Sequence, residues 1–91
     1  ILEGAVKALK AKFKGIIVWK IHGGGYQLSG IPDLYIAYKG KSIWVEFKRP
    51  GADTTALQRK KLQELMGQDI YCGTAESKET LIRMIEEVTQ C

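Results

Sequence analysis

The sequence predicts an α/β fold in the order α-β-β-β-α-β-α, a mixed sheet flanked by helices. Three observations predict it. Apolar residues recur at helical spacing in three segments, short β-branched and aromatic runs separate those segments, and residues 30–50, GIPDLYIAYKGKSIWVEFKRP, alternate as a hairpin. With 91 residues the chain is expected to form one domain, 1–91, with a single modest core.

Leu2, Val6, Leu9 and Phe13 recur at steps of four, three and four, which predicts an amphipathic helix that Gly15 ends. Its outer face is basic, with Lys7, Lys10 and Lys14. IIVWKI, residues 16–21, is too short and too β-branched for a helix and reads as a strand. The stretch HGGGYQLSG, residues 22–30, reads as a glycine-rich loop whose spacing matches no phosphate-binding loop.

The hairpin register follows from its turn. If Lys39 and Gly40 form the turn, paired residues have numbers summing to 79, so Leu34 faces Val45, Ile36 faces Ile43, Tyr35 faces Trp44 and Asp33 faces Glu46. A slip by one residue would set Leu34 against Glu46 and mix the two faces, which a half-buried sheet resists.

DTTALQRKKLQELMG predicts a second helix with Asp53 or Thr54 as N-cap, an inner stripe of Leu57, Leu62, Leu65 and Met66, and Gly67 as its stop. Residues 69–75 read as a short strand. Ser77 then caps a last helix with the stripe Leu81, Ile82, Ile85 and Val88.

Composition narrows the function classes. Hydrophobic residues are 45% and charged residues 26%, the balance of a folded soluble protein. The longest apolar run, residues 16–19, falls far below a membrane span, so no membrane partner is expected and a cytoplasmic location follows by default. Cys72 and Cys91 are too few for a disulfide framework and lack zinc-ligand spacing, so Cys72 is expected in the core. The net charge of +4 suits a polyanionic partner.

Chemistry concentrates at the hairpin's open end. Like charges at cross-strand positions destabilise a sheet, so Asp33 opposite Glu46 costs stability unless a cation lies between them. Two hard oxygen ligands suit Mg²⁺, which typically takes one or two carboxylates and keeps waters for a phosphate substrate. Lys48, two residues beyond Glu46, falls on the same face. A lysine nitrogen there can orient or deprotonate an attacking water and screen charge developing on a phosphate, which makes phosphodiester hydrolysis the natural reaction. The carbonyl of Phe47 is a candidate third metal oxygen. Gln58 shares the stripe of Leu62 and Leu65, so its amide points inward and requires a partner.

Pro32-Asp33, followed after twelve residues by Glu46-Phe47-Lys48, resembles the PD-(D/E)XK nuclease motif, and the element order is similar to the restriction-endonuclease-like core of that superfamily. SGIPDL, WVEFKRPGA and the glutamine of TTALQRKKLQEL resemble more narrowly the virus-type replication-repair nuclease (VRR-NUC) family, in particular its short stand-alone phage or bacterial members, over roughly residues 2–75. The resemblance implies a Mg²⁺- or Mn²⁺-dependent, structure-selective DNA endonuclease, a four-way (Holliday) junction resolvase acting on branched DNA as a homodimer in a bacterial or phage-infected cell. By position it implies that Asp33, Glu46 and the Phe47 carbonyl bind metal, that Lys48 is the catalytic lysine, that Gln58 supports the site, and that Glu3 matches an acidic residue of the first helix.

Plainer readings stand beside these. Asp33 after Pro32 is also a good turn residue, and Glu46 with Lys48 also suits a solvated strand edge. Glu3 is also favoured by the helix dipole and by pairing with Lys7. Lys20, His22, Ser29 and Arg49 are candidate DNA contacts, and each has an ordinary structural reading, as do Arg59, Lys60 and Lys61 on the second helix. Tyr35 and Trp44 form a cross-strand pair for packing, for a dimer surface or for the active face. The alternatives to a junction resolvase are a nuclease of the same fold acting on flaps, single strands or linear duplex, and a non-catalytic DNA-binding module.

Overall fold

The computed structural model describes residues 2–21 and 30–90. Its elements run α1 (Leu2–Lys12), β1 (Ile17–Lys20), β2 (Leu34–Tyr38), β3 (Lys41–Phe47), α2 (Ala56–Gly67), β4 (Tyr71–Ala75) and α3 (Lys78–Thr89). The four strands form one mixed sheet in the order β1-β2-β3-β4, antiparallel from β1 to β3 and parallel between β3 and β4. The parallel pair requires a crossover, which α2 supplies.

The hairpin has the register derived from its turn. Leu34 pairs with Val45, Tyr35 with Trp44 and Ile36 with Ile43, and Lys39 and Gly40 both take positive φ at the turn. Leu34, Ile36, Ile43 and Val45 are completely buried against Leu9 of α1 and Leu81 and Ile85 of α3. The sheet and the α1–α3 layer on it make the main core, with Phe13 and Ile16 closing one end. Lys12 pairs with Glu86 at 3.7 Å across the two helices.

α2 lies on the opposite face, over β3 and β4, where Leu62 is buried and its carbonyl accepts from the Cys72 thiol at 3.3 Å. Its start and stripe differ from expectation. The N-cap is Thr55, not Asp53 or Thr54, because Gln58 stands three residues on and completes a capping box with Thr55. Leu57 and Met66 are exposed, since among the described residues no further element packs on the outer side of α2. The last strand starts at Tyr71 rather than Asp69, because Asp69 adopts a left-handed φ of 59° in the turn after α2. Ser77 caps α3 by accepting from Thr80 N–H.

Candidate active site

The edge of the sheet opposite the hairpin turn gathers the acids. Ile21 N–H donates to Asp33 carbonyl oxygen at 2.8 Å, which carries the β1–β2 ladder on to Asp33. Asp33 Oδ2 accepts from Phe47 N–H at 2.9 Å, so this carboxylate is held against β3. One step beyond the Leu34–Val45 pair, the register sets Asp33 opposite Glu46. Both side chains lie on the α2 face, because Leu34, Val45 and Phe47 take the core face.

Glu46 is only 4% exposed. A carboxylate in such a place costs several kcal/mol unless charge and hydrogen bonds compensate it. Two groups do so at Oε2: Lys48 Nζ at 3.7 Å, and Gln58 Nε2, which donates at 3.2 Å. Lys48 is positioned by its own backbone, whose N–H donates to Ala75 carbonyl oxygen at 2.8 Å and extends the parallel ladder past Phe47. Lys48 also borders an open cleft of about 250 Å³ with Thr74 and Thr80.

Gln58 works in two directions. Its Oε1 accepts from Thr55 N–H at 2.8 Å and its own N–H donates to Thr55 Oγ1 at 3.1 Å. With Oε1 committed to the helix cap, the amide has only its NH₂ to turn toward Glu46. The capping box thus orients the group that orients the acid. Gly30 fixes the approach of the loop before β2: it takes φ +83°, and a Cβ there would lie 2.7 Å from Leu57 Cγ and 3.0 Å from Leu57 carbonyl oxygen.

The sequence-derived residues divide accordingly. Asp33, Glu46, Lys48 and Gln58 meet at one place, with Phe47 between two of them. Glu3 pairs with Lys20: its exposed carboxylate lies 3.9 Å from Lys20 Nζ, and its own backbone amide and then Lys20 hold its carboxyl below the usual range. Among the described residues, no three His, Cys, Asp or Glu side chains form a ready-made metal cage. Lys20, paired with Glu3, lies at the same end of the sheet, while Arg49 is exposed just beyond Lys48. His22 and Ser29 lie outside the described residues. Cys72 is half-buried beneath α2, and burial pushes its thiol up.

Two residues emerge only here. Thr55 belongs to the site through Gln58, and its signal was the spacing T-x-x-Q in TALQ. Trp19 of β1 continues the Tyr35–Trp44 pair into a row of three, with centroid separations of 5.2 and 5.1 Å.

No family model matches the sequence. No curated protein matches it. Among solved structures, a VRR_NUC domain superposes with a TM-score of 0.71, covering 92% of each chain at 23% sequence identity. The chain shares that domain's α/β fold, a four-stranded mixed sheet with flanking helices.

Proposed function

We propose that this chain is a VRR-NUC-type nuclease domain with a PD-(D/E)XK core, a metal-dependent endonuclease that hydrolyses phosphodiester bonds in DNA. The observation that carries the proposal is the convergence of Asp33, Glu46, Lys48 and Gln58 on one end of the sheet, with Glu46 buried at 4% exposure. A small domain gains no stability from a buried carboxylate that an apolar side chain would not supply more cheaply. Groups held at such cost mark sites of chemistry. The fold likeness to a VRR_NUC domain supports the same reading.

The donor set fits Mg²⁺ or Mn²⁺. Asp33 and Glu46 are hard oxygen donors from adjacent strands, joined in the proposal by the Phe47 carbonyl, and such ions take one or two carboxylates while keeping waters for phosphate. When bound, the cation supplies Lewis-acid polarisation of the phosphate and a more acidic water. The residues of the chain do the rest. Gln58 fixes the Glu46 carboxylate, the Phe47 amide fixes Asp33, and Lys48 orients the attacking water and screens charge growing on the phosphate. The net charge of +4 draws the polyanion in, with Lys20, Arg49, His22 and Ser29 as candidate contacts.

The finer substrate in this proposal is branched DNA, a four-way junction cut by a homodimer, because one active site per chain cuts one strand and symmetric cutting of two requires two copies. The test is a panel of labelled four-way junction, flap, single-stranded and linear duplex DNA, incubated with Mg²⁺, Mn²⁺ or chelator. The expected result is metal-dependent cutting, strongest on the junction, that Asp33→Ala abolishes while DNA binding survives. Equal cutting by Asp33→Ala and the parent chain overturns the assignment.

A further inference from the structure

Trp19, Tyr35 and Trp44 form a continuous aromatic row across β1, β2 and β3, with the Tyr35 hydroxyl hydrogen-bonded to Ser42 Oγ at 2.7 Å. Trp19 is 60% exposed, and Tyr35 and Trp44 are half-buried on the part of the sheet that α2 leaves open. Large aromatic rings on a sheet face that the described elements leave open serve no core, since the buried hydrophobic residues of these strands all point the other way.

The row lies beside the acids. Tyr35 follows Asp33 by two residues, and Trp44 precedes Glu46 by two, so both rows share one face at a spacing of ~6.7 Å along the strands. At its α2 end the row opens into a hollow of about 280 Å³ beside Trp44, lined by Ile31, Pro32, Leu65, Lys61, Glu64 and Gln68, with Lys61 paired to Glu64 at 3.5 Å.

We infer that this row is a stacking platform for unpaired nucleobases, so that the site handles DNA whose bases are splayed next to the scissile phosphate, as where the strands of a branch point part. The inference rests on the proposed function and names the substrate feature that function reads. A phosphate held at Asp33 and Glu46 leaves the base of an adjoining nucleotide one row away, over the rings. A paired base is sealed in its stack and cannot lie flat on an aromatic face; an unpaired base can, and every base has a π-face, so the platform is tolerant of sequence. The hollow, with an aromatic wall and a polar rim, gives a base at the end of the row both apolar contact and hydrogen-bonding groups. The size of the patch favours this occupant over a second copy of the chain: the exposed parts of the three residues amount to at most roughly 300 Å², against ~800 Å² per partner in a standard interface.

Both tryptophans of the chain lie in the row, so intrinsic tryptophan emission reports on it alone. The experiment titrates the full chain in chelator, where nothing is cut, with an oligothymidine and with a duplex of equal length, following emission and fluorescence polarisation. The expected result is quenching by the single strand and not by the duplex. Trp19→Ala, an exposed position whose loss leaves the core intact, is expected to weaken single-strand binding at least about fivefold while changing duplex binding less than twofold. Trp44→Phe, which keeps a ring, should retain most of the affinity. Unchanged single-strand binding by Trp19→Ala, or equal loss on both DNAs, overturns the inference. So does sedimentation showing that Trp19→Ala turns a dimer into a monomer, which would make the row an interface between copies. Because no cleavage is read, a chain that fails to cut DNA still gives a clear answer here, and a chain that cuts without stacking disproves only the platform.

Discussion

Gln58 donates to the buried carboxylate of Glu46 at 3.2 Å with the same amide whose oxygen accepts from the backbone of Thr55. One side chain therefore joins the start of α2 to the acid at the end of β3, and the two duties separate by mutation. Gln58→Glu keeps a residue suited to the capping box but sets a second carboxylate against Glu46. The helix cap is expected to survive, while repulsion at the buried acid lowers the melting temperature and cleavage drops roughly 10–100-fold, the usual cost of losing a supporting partner. Gln58→Ala loses both duties, the contact to Glu46 and the half of the capping box in which Thr55 N–H donates to Gln58 Oε1. Equal activity of Gln58→Glu and the parent chain would show that the contact to Glu46 is idle.

Lys48 lies on the same oxygen of Glu46, at 3.7 Å. As a mere counterion to a buried acid it would matter to stability alone, whereas as a group acting on water and phosphate it matters to rate. Lys48→Met is expected to lower cleavage by about 10²–10⁴ with DNA binding retained. A single-turnover assay beside a polarisation titration measures both.

Glu3, by contrast, is exposed and pairs with Lys20. Glu3→Gln is expected to leave the cleavage rate within about threefold of the parent, in keeping with the small worth of exposed ion pairs. A hundredfold loss in the same assay would bring Glu3 into the metal site.

Gly30 joins the loop before β2 to α2 at van der Waals distance from Leu57, in a left-handed conformation. Gly30→Ala meets both a backbone carbonyl and an unfavourable φ, and is expected to cost roughly 2 kcal/mol. Urea unfolding should show a lower midpoint at unchanged slope.

Much of this arrangement was legible in the residues, for a physical reason. The β2–β3 register follows from a two-residue turn and an apolar set that only one pairing buries, so the sequence alone puts Asp33, Glu46 and Lys48 on one face. The inward turn of Gln58 followed from its stripe. Most of what escaped depended on elements far apart in sequence. Trp19 joins Tyr35 through the β1–β2 pairing, and those strands stand too far apart in sequence for a two-residue turn to predict that register. Leu57 and Met66 sat on an apolar stripe, yet nothing in the stripe says how much sheet α2 covers. Thr55 stood in a run of three capping residues, and only Gln58 decided among them.

The most direct test of the central claim is a calorimetric titration of Mn²⁺ into the parent chain and into Asp33→Asn, a substitution that keeps the size of the side chain and removes its charge. Saturable binding by the parent that weakens tenfold or more in the variant is the expected result. Indistinguishable isotherms for the two proteins would contradict a metal site at Asp33 and Glu46.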